Sequence, residues 1–163
     1  MSPQEPVDPA GPGSDDLSIQ DTRFPDLPCF GCGPANAEGL RLKSFRDGST
    51  YVARFWPWPA HDNGMGSLNG GIIATVLDCH SAAAVVDHAY RSGWPPLPGA
   101  ALPYVTAGLD VRYLRPSPLD AEVLLGGEVV EASESAIDAL VWLEHDGKRR
   151  AEARAHWRRW RPR

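Results

Sequence analysis

The stretch from Asn63 to Arg91, N-G-M-G-S-L-N-G-G-I-I-A-T-V-L-D-C-H-S-A-A-A-V-V-D-H-A-Y-R, limits the possible folds more than any other part of the chain. A glycine-rich approach runs into an apolar segment. That segment is too long for an ordinary strand and too short and interrupted for a membrane span. It predicts a buried helix beginning near Gly70. Asp78 falls about two turns in, among Ile72, Ile73, Ala74, Val76, Leu77, Ala82, Ala83, Val85 and Val86. A carboxylate in such company is costly unless it is partnered or used.

A chain of 163 residues suits one domain with a sizeable core. A formal net charge of -5 argues against a general nucleic-acid binder. The start, M-S-P-Q-E-P, lacks the basic and apolar regions of a signal peptide. With no membrane span expected, the reading is a cytoplasmic protein. Three cysteines, an odd number, fit reduced thiols better than a disulfide framework.

Residues 1–23 are expected to form a disordered lead, because Pro, Gly, Ser and Asp dominate its first twenty positions and bury little surface. Residues 24–163 form the expected single domain. F-P-D-L-P-C-F-G-C-G-P-A-N-A-E-G (24–39) reads as an ordered loop. Its Cys29 and Cys32 form a C-x-x-C pair. Zinc needs two further ligands, and neither a second such pair nor a finger-spaced His pair is present. Packing in a tight loop is the plainer account, and no metal is expected. Alternating segments at 39–45 and 50–56 predict a hairpin across R-D-G-S. A proline-rich crossover follows the helix. Strands are then expected at 104–114, 121–131, 135–144 and 149–160. The last could be helical on its Ala, Glu and Arg content, but the D-G turn and the alternation favour a strand. Two strands, one helix and four strands predict an α+β layer, an antiparallel sheet of five to six strands wrapped around one long central helix.

A helix starting near Gly70 leaves its first N–H groups without intrahelical acceptors. Gly70 and Gly71 allow a ligand oxygen close to that backbone, and the helix dipole favours negative charge there. The pair therefore reads either as an oxyanion hole or simply as a sharp turn. Gly71, Thr75, Asp78 and Ala82 share one helical stripe of small and polar residues. Asp78 there is either a working carboxylate beside a thin substrate or a buried acid bonded to a neighbouring backbone or Arg. Asn63 and Asn69 flank the glycine turn as ligand amides or as turn formers. His61 and His80 are possible bases, but His80 and Cys79 point to other sides of the helix from Asp78. No nucleophile elbow, phosphate loop, dinucleotide fingerprint or metalloprotease motif is present.

N-G-M-G-S-L-N-G-G-I-I-A-T-V-L-D resembles the helix entry of hotdog-fold acyl-CoA thioesterases of the phenylacetate-degradation type. C-F-G-C-G-P-A-N-A-E-G-L and V-T-A-G-L-D-V-R-Y-L-R-P-S-P-L are similar to the same family, and the resemblance runs from about Pro28 to Arg159. It implies a hotdog fold paired into homodimers or homotetramers, with active sites at the dimer interface. It implies a thioester substrate on coenzyme A or an acyl carrier protein, and no cofactor. By the same resemblance Asp78 is the catalytic carboxylate, as nucleophile or general base, and Gly70 N–H binds the thioester carbonyl. Asn63 helps hold substrate or water, and Thr106, from the other subunit, orients the water. Asn69, Gly71 and His61 are placed around the substrate. The family motif has His where Asn69 stands, and many relatives have Glu where Cys79 stands. The alternative reading is a non-catalytic acyl-thioester or aromatic-ligand binder. A hotdog hydratase ranks below it, because no Asp/His pair is evident on the helix.

Overall fold

The computed structural model describes residues 17–163. Its centre is helix α2, Gly70–Arg91, whose Val76, Leu77, Ala83, Ala84, Val85 and Val86 are wholly buried. Each large aliphatic side chain taken from water there contributes about 1.5–3 kcal/mol. By length and composition α2 could itself cross a bilayer, contrary to the sequence expectation, yet 67% of its most apolar window is packed inside the protein. The helix is greasy because a sheet surrounds it.

That sheet has six strands: β1 Lys43–Asp47, β2 Thr50–Phe55, β3 Tyr104–Tyr113, β4 Val123–Ala132, β5 Ala136–His145 and β6 Lys148–Arg159. Their order is β1-β2-β4-β5-β6-β3, and every neighbouring pair is antiparallel. Alternation sets the faces. In β5, Ile137, Ala139, Val141 and Leu143 are buried, and in β6 Ala151, Ala153, Ala155 and Trp157 are buried. The small β6 residues leave room for the helix. The C-terminal segment is thus a strand, and the α+β architecture with one central helix is as expected.

Two further expectations need correction. The lead at 1–23 lies mostly outside the described residues, but Ile19–Arg23 form a short helix, α1. Ser18 caps it, accepting from Asp21 N–H at 3.1 Å. Gln20 is fully buried: its amide oxygen accepts from Ser44 N–H, and its amide nitrogen donates to Ser44 Oγ. The strand expected at 39–45 begins only at Lys43. Arg41 has a φ of 55°, which breaks the extended run. Leu40 and Leu42 instead donate N–H bonds to Phe30 O and Gly31 O, tying the segment to the cysteine loop.

Candidate active site

Helix α2 carries two partly or wholly buried carboxylates with opposite surroundings. Asp87 is neutralised: Arg23 lies 3.0 Å away, Arg46 3.7 Å, and the Tyr51 hydroxyl donates to it at 3.2 Å. Asp78, half-buried, has no ion-pair partner among the described residues. Its contact is with Thr106 of β3, whose Oγ1–H donates to Asp78 Oδ1 at 2.9 Å. Burial raises the Asp78 pKa above the ordinary carboxylate value; the Thr106 bond opposes this, and charge on Cys29 adds to it. Two of the alternatives left open by the sequence, an Arg partner and a backbone partner, do not describe this acid.

The resemblance placed Thr106 in the other subunit. Here one chain makes the contact, because β3 crosses over α2 at the sheet edge. A bulge between Thr106 and Gly108 in the β3–β6 register inserts Ala107. Such a bulge re-aims neighbouring side chains. Below the contact, Ser81 Oγ–H donates to Asp78 O at 2.7 Å and accepts from Trp157 Nε1–H at 3.0 Å. This bond fixes the helix to β6.

Asp78 and Thr106 open into a cavity of about 530 Å³ whose apolar walls include Phe24, Leu102, Val105 and Trp157. A cavity that size accommodates a small or aryl acyl group. Cys29, Cys32, Cys79 and Ala82 also line it. The expectation that Cys79 faces away from Asp78 is therefore overturned: residues one apart on a helix diverge by about 100°, and the cavity is wide enough to meet both.

The cysteine loop is pressed onto α2 at Gly31. A Cβ there would lie 2.3 Å from Cys79 Sγ and 2.9 Å from Thr75 Cγ2, so only glycine fits. The three thiols are free, and Cys29 Sγ lies 3.8 Å from Cys79 Sγ. Hydrogen bonds from the Cys32 and Cys79 thiols, with the N–H groups of Cys32 and Gly31, hold Cys29 far below the usual thiol pKa. Cys32 and Cys79, as its donors, are pushed up.

The remaining site residues stand elsewhere. Asn69 caps α2, its Oδ1 accepting from Gly71 N–H at 2.7 Å and Ile72 N–H at 3.3 Å. Only the Gly70 N–H at this helix end lacks an acceptor among the described residues, and Tyr113 covers that turn, donating to Gly70 O at 2.8 Å. Asn63 closes its own loop, with Oδ1 accepting from Met65 and Ser67 N–H. His61 is buried against Phe55 and Trp58, which lowers its pKa. His80 is fully buried between Ser44 and Tyr51 O, 2.9 and 3.2 Å away, and does not line the cavity. Gly70 precedes Asp78 by eight residues, about 12 Å along the axis. One chain therefore does not bring the glycine mouth and the acid to the same carbonyl. The sequence holds no local signal for Trp157 and Ser81, nor for the meeting of Cys79 with the Cys29–Cys32 pair.

No protein-family model and no curated protein matches the chain. Solved structures do. A thioesterase superfamily protein from Shewanella loihica PV-4 is 28% identical, with a TM-score of 0.58 over 74% of this chain and 91% of that one. A phenylacetic acid degradation-related protein from Ralstonia eutropha JMP134 is 21% identical, with a TM-score of 0.64 over 78% and 92%. The PaaI protein of the E. coli phenylacetic acid degradation operon is 17% identical, with a TM-score of 0.64 over 78% and 85%. The last two bear on the fold alone. The chain has the hotdog fold, and its structure is similar to those of thioesterase superfamily proteins.

Proposed function

We propose that the protein hydrolyses an acyl thioester carried on coenzyme A or an acyl carrier, with Asp78 as the reacting carboxylate. The observation that carries this reading is the 2.9 Å Thr106–Asp78 bond at the wall of an apolar cavity. Thr106 spends its proton on Oδ1, so its lone pairs remain to accept from a water O–H. Oδ2 has no hydrogen-bond partner among the described residues. It takes the proton as water oxygen attacks the thioester carbon; the C–S bond then breaks, and the thiolate leaves and is protonated. Direct attack by Asp78 through an anhydride is the other route to the same acid and thiol.

The carbonyl oxygen needs a donor, and Gly70 N–H is the free one at the α2 entrance. Because it sits about 12 Å from Asp78 along the helix, the reading requires a homodimer, alone or within a tetramer, whose interface pairs Asp78 of one copy with Gly70 of the other. The outer edge of β3, beside Thr106, has no strand partner among the described residues, which supports such an interface. A cytoplasmic location belongs to the same reading.

Asp78→Asn preserves size and the Thr106 contact but removes the base. It should lower kcat on a panel of short and aryl acyl-CoA substrates by about 10²–10⁴-fold without altering circular dichroism. An Asp78→Asn enzyme as fast as wild type sinks the mechanism. The second reading, a binder of acyl thioesters without turnover, is favoured by one feature: the Asn69 and Asn63 side-chain oxygens are already spent on a helix cap and a turn. Calorimetric binding of an acyl-CoA that the wild type never cleaves across that panel would select it.

A further inference from the structure

The wall of the cavity carries a donor set that thioester hydrolysis does not use. The Sγ atoms of Cys29, Cys32 and Cys79 all lie within 4.8 Å of one another. Two of them, 50 residues apart in sequence, are separated by 3.8 Å. Zinc–sulfur bonds of about 2.3 Å at tetrahedral angles place two sulfurs about 3.8 Å apart. The loop is also held in a tight turn around Cys29. In C-F-G-C-G, Gly33 N–H closes the turn on Cys29 O at 2.9 Å. Gly31 alone lets this loop approach α2 closely enough for Cys79 to join. Hydrophobic packing needs no such convergence of three soft ligands, since any small apolar residue would fill the space.

We propose that Cys29, Cys32 and Cys79 form a three-thiolate site for one soft divalent cation, zinc by preference, with the fourth position facing the cavity. Three thiolates select zinc over magnesium or calcium, which take oxygen ligands. A water from the cavity that these thiols line completes the tetrahedron. Binding releases the thiol protons and leaves the cluster with one net negative charge before the fourth ligand. The site fastens the 24–39 loop to α2 and so fixes one wall of the cavity. It stands independently of thioester hydrolysis, since a protein without turnover can hold the metal equally well.

The test uses untagged full-length protein, reduced, stripped of metal and titrated with cobalt(II). The expected result is one equivalent bound, with sulfur-to-cobalt charge-transfer absorption, tetrahedral ligand-field bands and displacement by zinc. Cys29→Ser and Cys79→Ser should each lose about a third of the charge-transfer intensity and weaken binding at least tenfold. No charge-transfer band in the wild type overturns the site, and so does a Cys79→Ser spectrum identical to wild type. If Cys79→Ser fails to fold by circular dichroism, the wild-type spectrum and the half-exposed Cys29→Ser decide.

Discussion

Asp78 and His80 lie two residues apart on one helix and meet opposite fates. His80 has its Nδ1 beside the Ser44 hydroxyl and its Nε2 beside Tyr51 O, and burial pushes its pKa down to about 4 from 6.5. The unfolded chain takes up a proton between those values and the folded chain does not. Stability from this residue is therefore complete above pH 6.5 and falls as the pH drops to 4, by about 3 kcal/mol. Denaturant unfolding at pH 7 and pH 4.5 reads that loss. His80→Gln should flatten the slope, while His61 and His88, lowered in the same direction, keep a residue of it. Asp78 is raised by burial, so the acid limb of the kcat/KM profile should lie at higher pH than for an ordinary carboxylate. Thr106→Val removes the bond that favours the charged form and should move that limb higher still. A limb that stays put or moves down would separate Thr106 from the acid.

Among the elements, α2 and the four late strands were legible because their periodicities are long and their turns contain Gly, Pro or Asp. Helix α1 was hidden by its length of five residues, although S-I-Q-D carries the start of a capping signal. The β1 boundary moved because Arg41 leaves the extended region, which alternation does not encode. Asp78 was legible as an acid in an apolar run. The thiol cluster was not, because Cys29 and Cys79 are distant in sequence and meet only when a glycine-bearing loop folds back on the helix. That closeness predicts the effect of Gly31→Ala. The added methyl must displace Cys79 or the loop, at about 1–3 kcal/mol, and thermal melting measures it. Ser81→Ala leaves the Trp157 indole N–H unpaired and should cost a similar amount, while narrowing nothing in the cavity.

For the whole molecule, the separation of Gly70 from Asp78 turns the assembly into a question about activity. Gly70 is the first residue of α2, a position where proline is tolerated and removes only the N–H. Gly70→Pro and Asp78→Asn should each be inactive alone. If two copies share a site, mixing the variants under subunit exchange restores one intact site per mixed dimer, about a quarter of wild-type activity at equal ratios. If each chain worked alone, mixing would restore nothing. Light scattering on the same samples gives the stoichiometry.

The place of β3 has a consequence for how this protein comes into being. β3 leaves the ribosome well before β6, its one strand partner among the described residues. Until β6 is synthesised, Tyr104–Tyr113 lacks that partner, and Thr106 is not held over Asp78. A nascent chain ending at Gly147 should therefore protect α2 from proteolysis poorly and leave β3 open to cleavage, and protection should arrive with Lys148–Arg159.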